Sequence, residues 1–221
     1  MRPFVTLLAA LVLSLGPAAL GAQAARLDST LRAVLEPAFE RARRDSVPLE
    51  ILEAKAAEGL AKRRPQAQIV AVVTQLASDV ASARAMLRRA APDAVLPAQE
   101  LVAAADAIRL GVPEPDIEAL RRTAPGQVVL DIPFSILGAL VERGVPAGAA
   151  QQVIREMITA DVPQGRMVEL PARLDIALRV GAGPTAALNS ALQGLGIPVG
   201  PLPVPPVDVP GRPPGQSGNG A

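Results

Sequence analysis

The side chains available for chemistry are carboxylates, hydroxyls, amides, arginines and two lysines, Lys55 and Lys62, because the 221 residues contain no His, Cys, Trp or Tyr. Without Cys there is no thiolate nucleophile, no disulfide and no cysteine-ligated metal. Without His there is no imidazole base and no imidazole ligand. Acid–base work would fall to paired carboxylates, as in a cell-envelope hydrolase. The nearest candidates are Glu50 with Glu53, Glu114 with Glu118, and Asp116. Their spacing puts each pair on one helix face, which solvated faces also do, and no Trp or Tyr is present to wall such a pair into an apolar pocket. Neither Ser-x-x-Lys nor Gly-x-Ser-x-Gly occurs to activate a hydroxyl. No catalytic, cofactor-binding or metal-binding residue is assigned.

Two further patterns resemble binding motifs. Gly181-Ala182-Gly183-Pro184-Thr185-Ala186 has the form G-x-G-x-x-A. A dinucleotide site needs a strand before the glycines and a helix after them. Here the preceding segment reads as a helix, so the motif is expected to be a helix stop followed by a helix start. The basic clusters Arg41/Arg43/Arg44, Lys62/Arg63/Arg64, Arg88/Arg89 and Arg121/Arg122 suggest a nucleic-acid or lipid surface. Each falls in the last turn of an expected helix, where cations complement the dipole and free carbonyls. Acids fall near helix starts: Asp28, Glu50, Glu100, Glu114 and Asp116. One rule of helix ends accounts for both signs, and a nucleic-acid partner is not expected.

Behind these residues lies a helical chain. Residues 1–24 have the form of a signal peptide: Met1-Arg2, an apolar run from Phe4 to Leu15, then Ala22-Gln23-Ala24 as a small-x-small cleavage site. The alternative is a retained N-terminal anchor. The formal net charge of +1 belongs to Arg2, so cleavage leaves a neutral chain. No unbroken apolar stretch of spanning length follows. From 198 the sequence becomes rich in Pro and Gly, and a disordered tail over 198–221 is expected.

Between these ends, residues 25–197 show helix periods and no sustained strand alternation. Leu27, Leu31, Val34, Leu35 and Phe39 mark a first helix that Pro37 would kink. A second is expected over 48–62 and a third over 65–90, where Ile69, Val73, Leu76, Val80, Ala83 and Leu87 form a heptad seam for a neighbouring helix. Shorter helices follow over 97–110, 114–123, 132–143, 146–160, 164–180 and 185–193, with a break expected near Pro171. The joints share one form: Gly111-Val112-Pro113, Gly144-Val145-Pro146 and Gly196-Ile197-Pro198. Gly ends a helix and Pro starts the next. Ser46-Val47-Pro48 and Asp161-Val162-Pro163 vary this with residues expected to cap the following helix. Pro48 to Pro65 and Pro146 to Pro163 are 17 positions apart, and Pro113 to Pro146 is 33, the size of helix-pair repeats. The aromatic positions of tetratricopeptide repeats and the Thr-Pro-Leu-His of ankyrin repeats are missing.

The sequence therefore reads as an all-α antiparallel helical hairpin array, a degenerate helical repeat of about eight or nine helices. The expected role is a non-enzymatic protein-interaction scaffold, exported to the periplasm or outside the cell, with a protein as partner. The alternatives are a carboxylate-dependent envelope hydrolase and a peripheral lipid-binding protein.

Overall fold

A computed structural model describes residues 29–125 and 128–197. The signal peptide over 1–24 and the tail over 198–221 lie outside the described residues. The fold is all-α: ten helical segments and no strand among the described residues. They are α1 (Ser29–Arg44), α2 (Leu49–Ala61), α3 (Gln66–Ala90), α4 (Ala98–Arg109), α5 (Glu114–Thr123), α6 (Asp131–Glu142), α7 (Ala147–Thr159), the four-residue α8 (Gln164–Met167), α9 (Leu170–Arg179) and α10 (Pro184–Gly194). The chain divides into two compact units between Ser78 and Asp79, inside α3.

In the first unit α1 continues through Pro37 and buries Leu31, Leu35, Ala38, Phe39 and Ala42. α2 packs on α1 and buries Leu52 and Ala56. Its Gly59 lets Ile69 of α3 come close: a Cβ there would lie 2.8 Å from Ile69 Cγ1. The α3 seam is buried at Ile69 and Val73 and half-buried at Leu76 in this unit, and buried at Val80, Ala83 and Leu87 in the second. α3 also has the length and apolar composition of a membrane span. Thr74, Gln75, Ser78 and Asp79 interrupt its apolar residues, so no unbroken stretch marks it in the sequence.

In the second unit the most extensive packing is between α4 and α6, followed by α9 with α10, α6 with α7, and α5 with α7. α6 also meets α8 and α9. The core is largely aliphatic, with Leu101, Ile117, Leu120, Leu137, Leu140, Ile154 and Leu174 enclosed, as is Phe134. α6 approaches α4 closely at Gly138, where a Cβ would lie 3.1 Å from Ala107 Cα of α4 and 3.0 Å from Cδ1 of Leu110, just after that helix.

The helix expected over 164–180 is two helices. It breaks at Val168–Glu169, and Pro171 sits in the first turn of α9, where its missing N–H costs nothing.

Seven joints share one backbone geometry. The residue after the helix is left-handed: Ser46, Arg63, Gly111, Gly144, Asp161, Gly181 and Gly196 have φ between 51° and 100°. The next residue donates its N–H back across six residues, as in Val47 to Ala42 O, Val112 to Ala107 O and Val145 to Leu140 O, at 2.8–3.1 Å. These bonds satisfy the last free carbonyls of the helix. The donor side chain is frequently apolar and buried, as at Val47, Val112, Val145 and Ile197. Two expectations are corrected here. The N-cap positions of α2 and α8 are held by Pro48 and Pro163, while Ser46 and Asp161 hold the left-handed stop that Gly holds elsewhere. Pro48, Pro113, Pro146 and Pro163 precede their helices in extended backbone instead of occupying the first helical position.

The geometry gives a paired prediction. Gly144→Ala places a Cβ at φ +84° and is expected to cost about 1–2 kcal/mol. Arg63→Gly relieves a left-handed arginine at φ +52° and is expected to add roughly 0.5–1 kcal/mol. Shifts of the urea midpoint in opposite directions at unchanged slope check both.

Candidate functional site

Of the carboxylates singled out by spacing, Glu50 and Glu114 are exposed, and Glu53 and Glu118 lie beside arginines. Glu50 is exposed on α2, and Glu53 accepts a hydrogen bond from Arg32 of α1 at 3.0 Å. Glu114 is exposed at the start of α5. Glu118, one turn further on, lies between two arginines, Arg89 at 3.2 Å and Arg122 at 3.5 Å. Among the described residues no three acidic groups gather as they would around a metal ion. Gly181 is the left-handed stop of α9, Gly183 precedes α10, and Pro184 opens it. That motif is a helix joint, with helix α9 where a nucleotide site would have a strand.

Each basic cluster has at least one member with a specific partner. Arg43 is bound by Glu36 and Glu40, and Lys62 by Glu58. These bonds hold the Glu36 and Glu58 carboxyls below their ordinary pKa, against the opposing effect of burial. The two clusters of the second unit meet at Glu118. Each supplies an outer arginine, Arg89 or Arg122, to that carboxylate. Each also supplies an inner arginine to the loop beyond its own helix. Arg88 Nη1 donates to Pro92 O at 2.7 Å and Ala94 O at 2.8 Å. Arg121 Nη1 donates to Val128 O at 2.9 Å, and Nη2 to Pro125 O at 3.1 Å.

Arg121 departs from the expected exposed helix end. Its side chain and that of Glu100 are wholly buried, and Nη1 donates to Glu100 Oε1 at 3.1 Å. The other carboxylate oxygen of Glu100 accepts the backbone N–H of Leu130, the residue before α6, at 3.1 Å. One ion pair thus ties the start of α4, the end of α5 and the start of α6. Glu100 was placed among the helix-start acids by position; its role is to hold Arg121 and the entry to α6.

The loops held in this way wall an apolar groove of about 590 Å³. Ala91, Pro92, Asp93, Ala94, Val95 and Pro97 line one side, and Val129 the other. Arg88 fixes the first wall through its carbonyls. Arg121 and Glu100 fix the second by holding Val128 and Leu130 on either side of Val129. Val95 is 78% exposed. Asp93, the single charged residue in the lining, makes no ion pair among the described residues.

The sequence carries a signal for this site in a recurrence. Leu87-Arg88-Arg89-Ala90-Ala91-Pro92 recurs 33 positions later as Leu120-Arg121-Arg122-Thr123-Ala124-Pro125. The same offset relates α4 to α6, both 12 residues long, and Gly111-Val112-Pro113 to Gly144-Val145-Pro146.

A further inter-helix ion pair lies later in the chain. Arg143, after α6, donates from Nε and Nη2 to Asp175 of α9 at 2.7 and 3.0 Å. This hydrogen-bonded pairing lowers the Asp175 pKa below its ordinary 3.8. A carboxyl lowered by folding stabilises the fold above its unfolded value, and that contribution is lost as pH falls through the folded value. Asp175→Asn is expected to flatten the acid side of the stability curve below about pH 4 and to leave its shape between pH 6 and 8 unchanged. Urea titrations across that range measure it.

No protein-family model, curated protein or solved structure matches the chain.

Proposed function

We propose that the protein is an exported, non-enzymatic interaction scaffold. On this reading α4 to α10 form an array of helical hairpins, degenerate in sequence, and the array presents the groove to a partner protein. The 33-residue recurrence and the stacking of α4 on α6 and of α5 on α7 support the array. The pattern of residues 1–24 supports export.

The observation that carries the reading is the groove itself. It is apolar, its Val95 stands open, and both walls are pinned by arginines to backbone carbonyls. A surface fixed before binding loses less freedom when a ligand docks. Its lining supports a ligand with a short apolar stretch for the Ala, Val and Pro walls, carrying one Lys or Arg to meet Asp93.

A photo-crosslinker at Val95, compared with one at the exposed Arg155 of α7, tests this in the native cell envelope. The expected result is protein adducts particular to Val95, mapping to an apolar segment with a basic residue and falling when Asp93→Arg reverses the charge. Adducts shared equally by Val95 and Arg155, or insensitive to Asp93→Arg, would contradict the reading.

A further inference from the structure

Apolar side chains stand open along one face of α9. Val180 is 81% exposed and Ile176 is 56% exposed, and Val168 and Ala172 are exposed with them. The four recur every fourth residue, so they form one ridge. Val168 and Glu169 keep right-handed helical backbone through the break before α9, which carries the ridge onto Val168. Leu170 and Leu174 are buried on the other side of the helix.

Both flanks of the ridge are occupied from within the chain. On one flank Asp175 is held by Arg143, after α6. On the other, Arg173 reaches α10: its Nη1 is 3.7 Å from where a Cβ of Gly194 would be. The charges along the ridge itself are Glu169 near its start and Arg179 near its end, both exposed. Glu169 meets Arg173 at 3.6 Å, and an exposed pair of that kind holds it weakly.

We propose that this ridge pairs with the same ridge of a second copy of the chain, antiparallel, about a two-fold axis at the level of Leu174. In that register Val168 of one copy lies level with Val180 of the other, Ala172 with Ile176, and Glu169 with Arg179. All three matches are centred on the same residue. The apolar matches follow from the even spacing of the ridge. The charge match does not, and it selects the antiparallel direction, since a parallel pair would set Arg179 beside Arg179 and Glu169 beside Glu169. An interface of this symmetry uses one patch twice, so each favourable contact is made twice. From Val168 to Val180 the ridge is about 18 Å long, and a helix is about 10 Å wide. That footprint is smaller than the roughly 800 Å² per partner of a stable complex, so the dimer is expected to be reversible, with a Kd on the order of 10–100 μM. The pairing does not rest on the groove.

Sedimentation velocity of the full chain from about 1 to 500 μM tests it across that range of Kd. Interference optics are used because the chain has no Trp or Tyr. The expected result is a reversible monomer–dimer transition. Ile176→Asp changes an exposed side chain and leaves the core untouched. It is expected to weaken the dimer about tenfold or more, because the residue is covered twice in each dimer. Glu169→Arg is expected to weaken it about fivefold, and adding Arg179→Glu to restore the parental affinity. A chain that stays monomeric throughout, growth past the dimer, association unmoved by Ile176→Asp, or a charge reversal that the second reversal does not rescue would each overturn the proposal. None of these outcomes bears on adducts from Val95, so failure here is distinguishable from failure of the groove.

Discussion

Glu100→Ala is expected to destabilise the second unit by about 3–5 kcal/mol, because it leaves the Arg121 guanidinium charged, enclosed and without its counter-ion. The side chains of both residues are fully excluded from solvent, so water cannot substitute for the lost partner without opening the structure. The Leu130 N–H also loses its acceptor at the entry to α6, adding roughly 1 kcal/mol of unsatisfied donor. Arg121→Met is expected to be comparably costly, since it strands the Glu100 carboxylate. The two losses should not add. With Glu100→Leu and Arg121→Met together no charge is buried, and a double-mutant cycle is expected to show about 2–3 kcal/mol of coupling. Strict additivity in urea titrations would mean that the pair does not act as a unit.

The second large effect is expected at Gly138. α6 lies against α4 there with no room for a side chain: Ala107 Cα and Leu110 Cδ1 both come within about 3.1 Å of an added Cβ. Ala107 presents backbone, which cannot rotate aside. Ala would recover roughly 1 kcal/mol of helix propensity over Gly, and the contact is expected to outweigh that gain. Gly138→Val adds two methyl groups into the same gap and is expected to cost about 1–3 kcal/mol by overpacking. Gly148→Ala is the internal control. It lies in the first turn of α7 with open space around its Cβ, and should stabilise the protein slightly. A Gly138→Val variant as stable as the parent would show that α4 and α6 do not approach this closely.

The helices and their joints were legible because they are local. Each stop is set by a few consecutive residues, and Phe39 lies on a core face as periodicity places it. Ser46 and Asp161 were misread because the same side chains serve as starts and stops; only φ separates the two uses. The Glu100–Arg121 pair was hidden for another reason. Its members are 21 residues apart, and each already fitted a rule of helix ends. A charge at a helix terminus carries no sign of whether it faces water or a core. Gly138 showed nothing in sequence, since a helical glycine acquires meaning only from the helix packed on it. The two Leu-Arg-Arg-x-Ala-Pro copies were the one legible pointer to the groove, because they repeat the arginines that pin both of its walls.

We propose the groove as a binding surface shaped by the buried Glu100–Arg121 pair. The most direct measurement takes the Glu100→Leu/Arg121→Met variant, confirms its helical content by circular dichroism, and reads photo-adducts from Val95 in the native envelope. The account predicts a folded protein whose Val95 adducts fall while those from Arg155 stay unchanged, because the carbonyls of Pro125 and Val128 have lost the guanidinium that held them. Unchanged Val95 adducts in that folded variant would contradict it.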